Sequence, residues 1–178
     1  MTRVHPKYLI TPQVPDSDYP RWVQPRFDVN LREVAPHLFV GALQSPYVTD
    51  RWGVIVDLYG SSAYPRSMSC GYATARRVLR LPFDDGRRFP SGHLDQIASA
   101  VRNRTADAPA LIHCQAGLSR SASAAYAIMR AEEGLSHSEA LRRVQVPDRE
   151  EFPMADTLRS ARQWVAAQGN RRRRAGLP

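Results

Sequence analysis

The stretch Leu111-Ile-His-Cys-Gln-Ala-Gly-Leu-Ser-Arg-Ser121 determines how the rest of the chain is interpreted. A short apolar run that favours a strand ends at His113, and an Ala-rich segment from about Leu118 to Glu133 favours a helix. The loop between them enters a helix N-terminus, where backbone N–H groups point together and attract a tetrahedral oxyanion such as phosphate. The pattern therefore predicts a strand, a phosphate-binding loop and a helix.

Three residue types in this loop suit an attack on phosphorus. Cys114 lies at the base of the loop, where the field that binds phosphate also favours the nucleophilic thiolate over the thiol. Arg120 carries a planar guanidinium that can hold two phosphate oxygens at once. Gly117 lets the backbone curl where a side chain would block it.

The segments around the loop predict an α/β domain. Strands are expected at 37–41, 53–59, 77–81 and 109–113, the third stopped by Pro82, and helices are expected from about 91, 118, 136 and 154 onward. This alternation predicts a single domain with a central, mostly parallel sheet of four to five strands and helices on both faces. We expect an extended proline-rich arm over 1–30, the domain over 31–168 and a basic disordered tail over 169–178.

Composition narrows the class of protein. The 178 residues, 43% of them hydrophobic, are enough for one domain with a proper core. No apolar run approaches the length of a membrane span, and residues 1–25 lack the apolar core of a secretory signal. Two cysteines, Cys70 and Cys114, make no disulfide framework, so we expect a cytoplasmic protein.

The net charge of +8 includes the run Arg171–Arg174. The simplest interpretation of this run is a solvated tail. Contact with nucleic acid or an anionic membrane surface is the alternative, although no aromatic residues interleave with the arginines to stack on bases.

The loop contains the signature His-Cys-x-x-Gly-x-x-Arg-Ser, and with it the chain resembles the cysteine-dependent protein tyrosine phosphatase superfamily. The resemblance is strongest to the dual-specificity phosphatase branch. Ala35–Gly41 and Trp52–Leu58 look like the first strands of that branch's domain, and Leu135–Leu141 looks like the start of the helix after the loop. The resemblance implies a protein tyrosine phosphatase-like fold that needs no metal or other cofactor.

The resemblance also implies roles for individual residues. Cys114 attacks phosphorus and forms a phosphocysteine, while Arg120 binds phosphate and stabilises the transition state. Ser121 donates a hydrogen bond to the cysteine sulfur, and His113 orders the loop. The phosphate-binding loop itself consists of Gln115, Ala116, Gly117, Leu118, Ser119 and Arg120.

The leaving oxygen also needs a proton from a general acid. The family takes it from an Asp about 30 residues before the cysteine, a place that Leu81-Pro-Phe-Asp-Asp-Gly86 occupies here. The family pattern favours Asp85 and leaves Asp84 as the alternative. Arg87 and Arg88, which follow, either help to bind an acidic substrate or form a solvated turn.

Four further residues have less certain roles. Asp57 lies in an apolar strand, where it either bonds nearby backbone at the strand end or orients a loop of the site. Cys70 either protects the catalytic thiol, as a second cysteine does in some family members, or is a small packing residue. His93 and His137 stand at helix starts and are expected to be exposed.

The expected activity is metal-independent hydrolysis of phosphomonoesters, with a phosphorylated protein or peptide as substrate, on tyrosine and on serine or threonine. A phosphoinositide or other non-protein phosphatase is the first alternative. The neutral residues Gln115, Ala116, Leu118 and Ser119 argue against it, because lipid-directed members often carry Lys or Arg there. A phosphoprotein-binding pseudo-phosphatase is an alternative of another class, and it usually lacks the Cys, the Arg or the acid.

Overall fold

The computed structural model of the chain describes residues 30–43, 45–48, 51–60, 75–146, 149 and 152–176. It contains five strands, four helices and a short 3-10 turn at Ser45–Val48. The strands are β1 (Arg32–Ala35), β2 (Leu38–Gly41), β3 (Val54–Tyr59), β4 (Val78–Phe83) and β5 (Ala110–His113). The helices are α1 (His93–Val101), α2 (Arg120–Glu133), α3 (His137–Val144) and α4 (Ala155–Arg174). Residues 1–29 of the predicted arm and Cys70 lie outside the described residues.

The five strands form one sheet in the order β1-β2-β5-β3-β4. Strands β2, β5, β3 and β4 run parallel to their neighbours, and β1 pairs with β2 in the antiparallel sense at one edge. The prediction of a mostly parallel sheet with four to five strands is therefore confirmed. Gly41, His113 and Asp57 lie side by side at the carboxyl ends of three neighbouring strands. This edge is where open α/β sheets bind ligands.

Among the described residues, the helices pack against one face of the sheet. The main core joins inward-facing strand residues such as Val40, Val56 and Ile112 to side chains from all four helices. The opposite face carries a smaller cluster that contains no helix residue: Leu31, Phe39, Trp52, Ile55 and Leu111, with Ala75 and Val78 against it. The expectation of helices on both faces is wrong for this part of the chain, because α2 is enclosed between the sheet and the later helices.

Strand β4 continues two residues beyond the predicted stop and includes Pro82. Proline lacks a backbone N–H, which removes a ladder donor in a central strand, but β4 is an edge strand and has a free side. The extension carries the backbone as far as Phe83, directly before the two candidate acids.

The last helix is longer than expected, since α4 runs from Ala155 to Arg174. Residues 169–174 are therefore helical, and the prediction of a disordered tail from 169 is wrong over these positions. Arg171 bonds to Asp95 of α1 at 3.3 Å, and alanine and arginine are both good helix formers. Neither α4 nor any other described helix has the length and apolar character needed to cross a membrane.

Candidate active site

Cys114 follows directly after β5 and lies at the floor of the loop. Its backbone N–H donates to Gly41 O at 3.4 Å, and Leu43 N–H donates to Gln115 O at 3.1 Å, so the loop begins pinned to the end of β2. The residue is buried, with 1% of its surface exposed. Its Sγ atom lies 3.2 Å from Ser121 Oγ in the first turn of α2. The predicted contact between these two side chains is present in the structure.

Gly117 is required by the path of the loop. Its φ of +73° is a left-handed conformation that residues with a Cβ rarely adopt. A Cβ at this position would also lie 2.8 Å from Gly41 C and 2.9 Å from Gly41 O. The loop therefore packs backbone against backbone on the end of β2.

The guanidinium of Arg120 is held by the ends of two strands. Its Nη1 donates to Leu58 O at 3.0 Å and to Phe83 O at 2.8 Å, at the ends of β3 and β4. Only 3% of the residue is exposed. Because two carbonyls fix the position of this cation, it is preorganised for an anion in the loop.

Of the two neighbouring carboxylates, that of Asp85 lies near Arg120. Asp85 Oδ1 is 3.6 Å from Arg120 Nε and accepts from Gly86 N–H at 3.0 Å. The side chain remains 42% exposed, so it can exchange protons with solvent. This placement agrees with the expectation that Asp85, and not Asp84, faces the site.

His113 and Asp57 form a buried pair beneath the loop. His113 Nε2 lies 3.7 Å from Asp57 Oδ1, which also accepts from Tyr59 N–H at 2.9 Å. Burial lowers the pKa of His113, and this effect outweighs the opposing attraction of Asp57 and a hydrogen bond to the Cys114 backbone. The imidazole is therefore neutral at pH 7. Asp57 both bonds backbone at its strand end and contacts His113, so the two interpretations of this residue hold together.

The segment that carries Asp85 is attached to α4. Thr157 Oγ1 donates to Arg87 O at 2.9 Å, and Phe89 N–H donates to Ser160 Oγ at 3.0 Å. Arg88 also hydrogen-bonds to Gln163 of the same helix. We call residues 84–89 the acid loop; its neighbours on α4 fix its distance from the phosphate-binding loop.

Two residues that contact the phosphate-binding loop are absent from the sequence predictions. Asn30 Nδ2 donates to Ala116 O at 2.8 Å, and Arg32 Nη2 donates to Gly117 O at 3.0 Å. Both lie more than 80 residues before the loop in sequence. An Asn-x-Arg segment beside a short strand is too common to indicate a catalytic role by itself.

The two helix-start histidines are half-buried and not exposed as expected. His137 Nδ1 lies 2.8 Å from the Tyr126 hydroxyl, and burial lowers the pKa of His137. Burial also lowers the pKa of His93. Within the described ranges, no group of three or more His, Cys, Asp or Glu side chains is arranged to hold a metal ion.

The sheet order and the cysteine loop together define a class: the chain has the protein tyrosine phosphatase-like fold. It is similar to a mouse putative dual specificity phosphatase complexed with zinc tungstate, at 23% identity and a TM-score of 0.60, over 85% of this chain and 94% of that one. Human DUSP28 is similar at 22% identity and a TM-score of 0.54, over 79% and 93%. PTPMT1 in complex with PI(5)P gives 14% identity and a TM-score of 0.59, over 81% and 99%.

These structures place the fold in the dual-specificity branch of the superfamily. No protein-family model and no curated protein matches the chain. The similarity to the solved structures establishes the fold, and with the loop geometry it supports cysteine-based phosphatase chemistry at the level of the superfamily. The substrate differs among these proteins and does not follow from the fold.

Proposed function

We propose that the protein hydrolyses phosphomonoesters through a phosphocysteine, and that its substrates are phosphorylated proteins or peptides. The observation that carries this proposal is the arrangement of Cys114, Arg120 and Asp85 around one small volume at the sheet edge. A nucleophile, a fixed cation and a carboxylate with access to solvent lie together there. These are the groups that displacement at phosphorus requires.

In the first step, the Cys114 thiolate attacks phosphorus and an S–P bond forms while the P–O bond to the leaving group breaks. Asp85 gives its proton to the departing oxygen. Arg120 and the loop N–H groups stabilise the charge on the equatorial oxygens, which is the role a metal ion takes in other phosphoryl-transfer sites.

In the second step, water attacks the phosphocysteine, Asp85 accepts a proton from that water, and the S–P bond breaks. The released thiolate carries a negative charge, and the Ser121 hydroxyl lies 3.2 Å away and can donate to it. His113 stays neutral and orders the backbone under Cys114.

The test is turnover of 4-nitrophenyl phosphate and of an alkyl phosphate with a chelator present. Cys114→Ser is expected to remove activity on both. Asp85→Ala is expected to lower alkyl phosphate turnover about 100-fold and 4-nitrophenyl phosphate turnover much less, because nitrophenolate leaves without a proton. Asp84→Ala is the matched control, with activity close to wild type. Full turnover in Cys114→Ser would refute the mechanism, and a large loss in Asp84→Ala alone would transfer the acid role to Asp84.

A phosphoinositide phosphatase is the second candidate, favoured by the similarity to PTPMT1 in complex with PI(5)P. Against it, the loop positions that face outward, Gln115 and Ala116, are uncharged. Arg87 and Arg88 are exposed beside Asp85 and suit an acidic peptide as well as a lipid headgroup. Rates on phosphotyrosine, phosphoserine and phosphothreonine peptides and on PI(5)P vesicles separate the two candidates. A higher kcat/KM on the vesicles would replace the first proposal with the second.

A further inference from the structure

We infer that Arg32 and Asn30 are positioning residues: they hold the phosphate-binding loop from outside so that its N–H groups point inward, and Arg32 adds a fixed positive charge behind Cys114. This inference rests on the proposed function, since it concerns how the same loop binds an oxyanion. Neither residue belongs to the loop signature. Both lie at the start of the described domain, and Arg32 is the first residue of β1.

The geometry of the peptide bond supplies the first argument. In a trans peptide the carbonyl of one residue and the N–H of the next point in opposite directions. Asn30 holds the carbonyl of Ala116, so the N–H of Gly117 points the other way. Arg32 holds the carbonyl of Gly117, so the N–H of Leu118 also points away from it. Two outward hydrogen bonds thereby orient two donors of the phosphate cradle.

Arg32 also connects the loop to the rest of the domain. Its Nη2 donates both to Gly117 O at 3.0 Å and to Val144 O at 2.6 Å, the latter at the end of α3. Its Nη1 donates to Asn30 O at 3.0 Å. One guanidinium therefore joins β1, the phosphate-binding loop and α3, and also fixes the residue that holds the neighbouring loop carbonyl.

The charge of Arg32 supplies the second argument. Burial lowers the pKa of Arg32 to about 10, and attraction to Cys114 opposes that lowering. The side chain therefore remains charged at pH 7 despite its partial burial. Because the attraction is mutual, the same charge favours the thiolate form of Cys114.

The test follows the alkylation of Cys114 by iodoacetamide, which needs no turnover. The rate is measured against pH, and against inorganic phosphate, whose binding protects the thiol. Arg32→Gln is expected to weaken phosphate protection about 10-fold and to raise the pH at which half of the thiol reacts by about half a unit. Arg32→Lys, which keeps the charge without the guanidinium fork, is expected to restore the pH midpoint but not the phosphate affinity. Asn30→Ala is expected to weaken protection and leave the midpoint unchanged.

Arg104→Gln is the matched control. Arg104 also donates to backbone carbonyls, Pro36 O at 3.1 Å and Val101 O at 3.0 Å, but its contacts are away from the loop. It is expected to lower the melting temperature without changing the midpoint or the protection. Wild-type values in both Arg32→Gln and Asn30→Ala would overturn the inference and leave the proposed function intact. Absence of phosphate protection in the wild type would overturn both.

Discussion

The phosphate-binding loop and the acid loop face each other across the site and are held in different ways. The first is pinned by its own backbone, with hydrogen bonds to Gly41 and Leu43 and a glycine packed against the end of β2. The second is exposed over most of residues 84–88 and is attached to α4 largely by side chains. Backbone contacts between buried segments leave little freedom, whereas side-chain bonds near the surface permit small movements.

This difference corresponds to the proposed chemistry. Stabilisation of an oxyanion requires donors that are already in place before charge develops. A general acid must approach the leaving oxygen and later a water molecule in a slightly different position. Changes in the phosphate-binding loop should therefore affect all substrates, and changes at the acid loop should affect mainly those with poor leaving groups.

The largest effect is expected for Gly117→Ala. The new Cβ would lie 2.8 Å from Gly41 C, and the backbone φ of +73° is strained for alanine. We expect a loss of about 3 kcal/mol in the free energy of unfolding and a large loss of turnover on every substrate. Thermal unfolding and kcat on aryl and alkyl phosphates measure the two effects.

Gly134→Ala separates strain from the close contact. Gly134 has a φ of +68°, and nothing lies within 4 Å of its added Cβ. This variant is expected to lose about 1 kcal/mol and to retain full activity. If the two alanine variants lost the same stability and activity, the packing of the loop on β2 would not matter for the site.

The second effect concerns the pH dependence of stability, through His113 under the same loop. Burial lowers its folded-state pKa, so the unfolded chain binds the proton more tightly. Stability from this residue is therefore fully present above the unfolded pKa of about 6.5 and is lost as the pH falls below it. Asp57 opposes the lowering, and Arg120 and Arg80 add to it.

His113→Asn removes this proton while keeping a polar side chain in the pocket. We expect the slope of unfolding free energy against pH between about 6.5 and 5 to fall by up to about 1.4 kcal/mol per unit. His37→Asn, in the turn between β1 and β2, is the control and should leave the slope nearly unchanged. Denaturant titrations at several pH values measure it; an identical slope in His113→Asn would show that His113 is not the group that titrates.

The phosphate-binding loop could be located from sequence because its parts are contiguous. A strand, a cysteine, a glycine and an arginine at fixed spacing describe one local turn, and the parallel sheet follows from the alternation of strands and helices around it. Asp85 was within reach for a similar reason, since it comes directly after a strand whose end meets the same sheet edge. Its role as the acid stays a prediction.

The contacts of Asn30 and Arg32 were out of reach because they depend on how β1 docks beside the loop. No local pattern encodes hydrogen bonds between segments more than 80 residues apart. The course of β4 through Pro82 likewise depends on its place at the edge of the sheet, which local propensity does not reveal. The helical residues 169–174 of α4 depend in part on the tertiary bond between Arg171 and Asp95.

The smallest effect is expected for Thr157→Val, which tests the acid loop. Thr157 is fully buried, and its hydroxyl donates to Arg87 O at 2.9 Å. Valine keeps the shape and removes the donor, so the loss of unfolding free energy should be about 1 kcal/mol. Because only the acid loop loosens, kcat should fall a few-fold on an alkyl phosphate and stay unchanged on 4-nitrophenyl phosphate. Thr105→Val, at an exposed position, should change neither rate. Equal losses on both substrates would mean that α4 supports the phosphate-binding loop as much as the acid loop, and the contrast between the two regions would disappear.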